Sequence, residues 1–90
     1  MIEHDIEKIF YNCKKILRIL KVFFEENEPL TIYRIEKNGM IYDINRAINK
    51  LIEIGIVKKI DEEPNLYILN EENSLVPKIR EFLKDIGYIS

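Results

Sequence analysis

The stretch from Tyr42 to Leu51, YDINRAINKL, carries side chains that can read another molecule. Wound as a helix, it puts Ile44, Ala47, Ile48 and Leu51 on one face and Asn45, Arg46, Asn49 and Lys50 on the other. A guanidinium fork bridges guanine N7 and O6, a carboxamide pairs with adenine N7 and N6, and an ammonium neutralises phosphate. The polar face is therefore expected to contact double-stranded DNA, with Tyr42 at its start and Lys58 and Lys59 adding contacts to the backbone. A solvated face opposite a core would show the same pattern, so the place of this helix among its neighbours has to decide between the two readings.

Other chemistry is poorly provided for. The one histidine, His4, is the single neutral-pH base, and there is no Gly-rich phosphate loop and no nucleophile elbow. No catalytic residue and no enzymatic activity are expected. The soft metal ligands are His4 and Cys13, nine residues apart and on no common helical turn, so neither a metal nor a cofactor is expected. His4 reads as a solvated residue and Cys13 as a packing residue. A lone cysteine forms no internal disulfide and suits a reducing compartment. No apolar run reaches the roughly 20 residues of a membrane span, and the acidic start (Glu3, Asp5, Glu7) is unlike a signal peptide, so a cytoplasmic location is expected.

The elements that must position the reading helix follow from periodicity. Ile6, Ile9, Phe10, Cys13, Ile16, Leu17, Leu20, Phe23 and Phe24 recur at spacings of three and four and predict a helix over about 3–26, with Ile19 and Val22 widening its apolar face. Asn27-Glu28-Pro29 ends it. Thr31 then caps a short helix with Ile32 and Ile35 inward, and Asn38-Gly39 closes that one, Gly39 being expected to supply a left-handed residue. The third helix is expected over 43–54 with Asp43 as its cap and Gly55 as its stop. Ile56–Ile60 and Leu66–Leu69 read as two strands joined by the turn Asp61-Glu62-Glu63-Pro64-Asn65, a hairpin over about 56–70. Ser74 is expected to cap a last helix over about 74–86, with Leu75, Val76, Ile79, Phe82, Leu83 and Ile86 on its apolar side and Gly87 at its end.

Ninety residues make one domain, 1–90, and the 47 % hydrophobic and 33 % charged composition is that of a globular chain. The net charge of −2 is not the basic balance of a protein that coats nucleic acid. Its distribution says more, because residues 29–60 carry an excess of cations whereas 61–73 hold five acids and no base. Eighteen Ile, eight Asn and a single Ala fit an AT-rich genome, and Lys and Glu without Gln resemble thermophile composition. Lys14, Lys15, Arg18 and Lys21 form a basic stripe on the first helix, readable equally as a phosphate track or as a soluble outer face.

Two short helices joined at a glycine and followed at once by a hairpin match the helix-turn-helix plan. The segments LTIYRIEKNGMIYDINRAINKLIEIGIVKKI and LYILNEENSLVPKIREFL resemble winged-helix transcriptional regulators of the ArsR and MarR kind, especially small archaeal ones, over about residues 6–86. KLIEIGIVKKI, running from recognition helix into wing, and YILN, closing the wing, are the most telling pieces. The resemblance implies an α+β, mostly α, winged helix: a three-helix core with a helix-turn-helix over about 31–54, a two-stranded β wing and a C-terminal helix. It also implies a homodimer through the first and last helices, for which Phe10, Cys13, Leu17, Leu75, Ile79, Phe82, Leu83 and Ile86 are the expected contacts. The expected function is sequence-specific DNA binding in transcription regulation. The rival is a winged-helix module that binds a protein partner, favoured by the near-neutral charge and by an acidic wing tip that phosphate would repel. A third possibility is an accessory partner of an enzyme.

Overall fold

The computed structural model describes residues 5–90, with the backbone alone at Asp61 and Glu62. His4 and Glu3 lie outside the described residues. The chain is α+β and mostly helical: α1 (Asp5–Ile9), a 3₁₀ turn (Tyr11–Cys13), α2 (Lys14–Glu26), α3 (Ile32–Gly39), α4 (Asn45–Glu53), β1 (Val57–Glu62), β2 (Asn65–Leu69) and α5 (Leu75–Asp85). No helix among the described residues is long and apolar enough to cross a membrane.

The continuous first helix expected over 3–26 is broken. Phe10 leaves the helical region at φ −106°, ψ 53°, and Phe10-Tyr11-Asn12-Cys13 is a run of residues that rank below the straight-chain helix formers. The break turns α1 away from the line of α2, so Ile9, Phe10 and Cys13, expected on an apolar face, are exposed. Glu7 goes the other way and is fully buried. Beyond the break the expected pattern holds: Ile19, Leu20, Val22 and Phe23 of α2 enter the core, Ile16, Leu17 and Phe24 flank it, and Asn27 ends the helix in a left-handed conformation.

Thr31 caps α3, its Oγ1 accepting from the Arg34 amide at 3.2 Å. The exit from α3 differs from expectation. Met40, not Gly39, takes the left-handed conformation, with φ 55°. Gly39 serves close approach instead, since a Cβ there would lie 3.2 Å from both a Val22 methyl carbon and the Ile41 side chain. Asp43 likewise is not a cap. It sits left-handed at φ 56°, and α4 starts at Asn45 after Ile44, so the helix is shorter at its N-terminus than the expected 43–54.

The strands begin at Val57 and pair further toward the tip than expected, to Glu62↔Asn65, which tightens the turn to Glu63-Pro64, joined by a cis peptide bond. An irregularity between Lys59 and Asp61 leaves Ile60 outside the pairing register. The free edge of β2 is met by Leu30, which exchanges two 2.9 Å backbone hydrogen bonds with Tyr67 and fastens the segment between α2 and α3 to the hairpin. Gly55, at φ 85°, makes the turn into the hairpin, and its carbonyl accepts from both the Asn70 and the Asn73 carboxamides at 3.0 Å. Ser74 makes no capping bond to α5; Asn73 performs that task, its Oδ1 accepting from the Leu75 amide at 2.9 Å.

The core gathers Ile19, Phe23, Leu30, Ile35, Ile44, Ile48, Leu51, Ile56, Val57 and Val76. Leu83 joins it at 1 % exposure, so this residue, expected at a dimer contact, is already used within the protomer. After Gly87 the chain turns back, and Tyr88 and Ile89 are buried too, an ending the helical periodicity did not announce.

Candidate nucleic-acid interface

α4 is amphipathic in the expected sense. Ile48 and Leu51 are buried, Ala47 packs against the core, and Ile44 is buried just ahead of the first turn. Asn45, Arg46, Asn49 and Lys50 are all exposed, and Tyr42 is 80 % exposed at the entrance to the helix. Residues four apart on a helix stack in rows. Arg46 and Lys50 form one row and Asn45 and Asn49 a neighbouring one, which Glu53 continues with a carboxylate at the C-terminal end. Hydrogen-bonding amides are thus set beside cations on a single exposed face.

The turn that aims this helix is built by side chains. Two of its residues, Met40 and Asp43, are held left-handed without glycine, a conformation that costs about 1–2 kcal/mol per residue. Neighbouring elements hold it there. The Glu36 carboxylate of α3 accepts from the Asp43 amide at 3.0 Å, Lys15 Nζ of α2 donates to the Asp43 carbonyl at 3.1 Å, and Arg18 donates to the Met40 carbonyl at 3.3 Å. The Arg34 guanidinium clamps α3 to α2 through Glu26 at 2.9 Å, with Glu28 2.8 Å away, and Asn38 adds a bond to Glu26. α2 therefore fixes the start of α4 by direct polar contact.

An open groove runs between the start of α2 and α4. Tyr11, Asn12, Lys14 and Lys15 line one side and Arg46 and Lys50 the other, with Asp43 at the turn as the single acid among the described residues. Neither helix has an acid in its first turn or a side-chain cap, so the positive end of each helix dipole adds to the field of the four cations. Sequence reasoning placed Arg46 and Lys50 on the interface but left Lys14 and Lys15 undecided. Their link to α4 depends on the break at Phe10 and on the packing of α2, neither of which a local pattern reveals.

The remainder of the basic stripe is occupied elsewhere. Arg18 grips Glu7 through Nε at 3.1 Å and a terminal nitrogen at 3.3 Å, and Tyr88 donates its hydroxyl to the same carboxylate at 2.6 Å. Lys21 lies over the Tyr88 ring at 4.9 Å. Burial, together with the bond to Glu7, pushes the Tyr88 phenol well above its ordinary range. This cluster ties α1, α2 and the chain's end together.

Lys58 and Lys59 do not line the groove. Both are exposed, but as successive strand residues they project from opposite faces of the hairpin, Lys58 paired with Ile68 and Lys59 with Tyr67. Only one of the pair can serve any single surface. Of the expected dimer residues, Leu75, Phe82 and Ile86 are exposed on α5, Leu17 and Ile79 are half-buried, and Phe10 and Cys13 are exposed at the helix break. No family model, no curated protein and no solved structure matches the chain.

Proposed function

We propose that this chain is a winged-helix protein that binds double-stranded DNA sequence-specifically as a homodimer and regulates transcription, without catalytic activity of its own. α3 and α4 form the helix-turn-helix, α4 is the recognition helix, and β1 and β2 form the wing. The observation that carries the reading is the exposed face of α4, where the Asn45/Asn49 row and the Arg46/Lys50 row stand beside a groove flanked by further cations. A merely solvated face would not need its amides and cations grouped at the one surface where a second basic segment converges. In this reading Arg46 and the asparagines meet base edges while Lys50 meets phosphate, and Tyr42 and one of Lys58 and Lys59 add contacts at the margins.

The homodimer reading rests on α5. Its apolar arc is wider than the core it covers, since Val76 and Leu83 are buried while Leu75, Phe82 and Ile86 remain exposed on the adjoining stripe. A twofold pairing of these stripes would present two copies of α4 to successive half-sites. Replacing Phe82 and Ile86 by charged residues should leave a folded monomer in sedimentation, since neither is buried in the protomer. A wild-type monomer at tens of micromolar, where typical micromolar dimers persist, removes the dimer from the proposal.

Fluorescence anisotropy with a random duplex and then with genomic fragments, each over a series of salt concentrations, tests the DNA reading. Binding that weakens with salt and is lost in the combined Arg46, Asn49 and Lys50 alanine variant is the expected outcome. Wild-type protein that binds no duplex at low salt overturns it and leaves the exposed α5 stripe, with a protein partner, as the alternative.

A further inference from the structure

A helix about 10–12 Å across nearly fills a major groove about 12 Å wide, so the two strands that wall the groove pass along the helix's flanks. One flank of α4 is the Arg46/Lys50 row. Beside it lies the open groove, and its far bank is formed by Tyr11 and Asn12 of the 3₁₀ turn with Lys14 and Lys15 of α2. A phosphodiester strand running between the banks would meet Lys50 on one side and Lys14 and Lys15 on the other, while Arg46 reaches past it to the base edges. The strand would also meet a phenol hydroxyl and a carboxamide on the far bank, donors that suit phosphate oxygens.

We infer that Tyr11, Asn12, Lys14 and Lys15 form a second, sequence-independent clamp on the sugar-phosphate backbone of duplex DNA, gripping the strand that borders the groove occupied by α4. The inference rests on the DNA reading above and assigns the clamp to a segment outside the helix-turn-helix and the hairpin. Three observations support it. The cations come from two elements and converge on one groove, whose single acid among the described residues is Asp43. Tyr11 is 72 % exposed although it is a large aromatic residue, and the helix break is what presents it there. The two later cations of α2, Arg18 and Lys21, are held by Glu7 and by the Tyr88 ring and do not line the groove. Lys15 has a dual part, because the bond from its Nζ to the Asp43 carbonyl also steadies the turn before α4.

The test is the salt dependence of binding to one duplex of fixed sequence, measured for full-length wild type, Lys14→Gln, Tyr11→Phe and the double variant Lys14→Gln/Lys15→Gln. Each lost phosphate contact reduces the slope of log K against log salt by about 0.9, so a fourfold rise in salt should weaken the wild type more than Lys14→Gln by about 3.5-fold for one protomer and about 12-fold for the homodimer, which loses two contacts. Lys15 also holds the turn through its bond to the Asp43 carbonyl, so the single variant Lys14→Gln separates loss of a phosphate contact from loosening of that turn. Sequence preference, read as the ratio of affinities for two duplexes, should be the same in Lys14→Gln and wild type and should fall in Arg46→Ala. Wild-type slopes retained in Lys14→Gln and in the double variant, with Arg46→Ala still impaired, overturn the clamp and leave the recognition helix standing. Absence of any duplex binding by the wild type overturns both.

Discussion

Two pairs of cations on α2 have opposite fates. Lys14 and Lys15 border an open groove facing α4, and among the described residues the only acid lining that groove is Asp43. Arg18 and Lys21, one turn further along, are drawn into a cluster with Glu7 and Tyr88, where Arg18 keeps only 11 % of its side-chain exposure. The residue types and the helix are the same. What differs is the surroundings that tertiary structure brings up: Glu7 and Tyr88 close over Arg18 and Lys21, although Arg18 also donates to the Met40 carbonyl, whereas Lys14 and Lys15 border the groove beside α4. A basic stripe on a helix has no function of its own until its surroundings are known, and here Arg18 and Lys21 pack on Glu7 and Tyr88 while Lys14 and Lys15 line the groove beside α4.

The contrast can be broken most forcefully at Glu7. Glu7→Ala strands the Arg18 guanidinium and the Tyr88 hydroxyl in a buried place, and removing one partner of a buried ion pair costs about 3–5 kcal/mol. A urea titration should show that loss as a much lower midpoint, whereas Lys14→Gln should cost no more than about 1 kcal/mol, the upper range for a partly exposed charge. Equal effects would mean that the two halves of the stripe are not different in kind.

Leu51→Ala should cost about 2–5 kcal/mol by opening a cavity beneath α4. Its melting temperature should fall while the protein that remains folded keeps its affinity for DNA. Arg46→Ala should do the reverse, sparing the melting temperature and weakening a cognate site by about 1–3 kcal/mol, with relaxed preference at one base pair of each half-site. A loss of stability in Arg46→Ala would place that side chain in the fold instead of on the interface.

Tyr88 sharpens the comparison through pH. Its proton is held more tightly in the folded chain than in the unfolded one, where the phenol titrates near 10. The stabilisation is therefore fully present below about pH 10 and declines as pH rises towards the folded value. Tyr88→Phe should be less stable than wild type at pH 7 by about 1.5–3 kcal/mol, the value of a hydrogen bond to a charged group, and that difference should shrink above pH 10. A difference that stays constant to high pH would show that the hydroxyl is not buried against Glu7. The smallest effect is expected at the hairpin tip. Glu63 is exposed there, and Glu63→Lys should leave stability within about 0.5 kcal/mol while tightening non-specific DNA binding if the tip approaches the phosphates.

Much of the fold could be read from local pattern. The inward faces of α3 and α4, the Thr31 cap, the turn at Gly55 and the hairpin each depend on residues within a few positions of one another, and the structure places them as the periodicity implied. What was illegible is long-range. Nothing near Glu7 marks it as buried; its partners are eleven and eighty-one residues away, and a carboxylate beside a lysine in a charged helix reads as solvated. The break at Phe10 was hidden because its apolar residues keep helical spacing while their low propensity interrupts the helix. Gly39 and Met40 exchanged roles because Gly39 is needed at the contact with Val22, leaving the left-handed position to a residue that the surrounding hydrogen bonds hold in place. For the candidate site, the exposed face of α4 was legible in its own sequence. The opposing bank at Tyr11–Lys15 was not, since it joins the site through the packing of α2.

The central claim is that α4 and the start of α2 form one DNA-binding surface, with Glu7 and Tyr88 outside it. Amide chemical-shift mapping by NMR during titration with a short duplex tests it residue by residue. The account predicts perturbations concentrated at residues 11–15 and 45–50, with the amides of Glu7 and Tyr88 unmoved. Perturbations centred on α5 with α4 silent would contradict it.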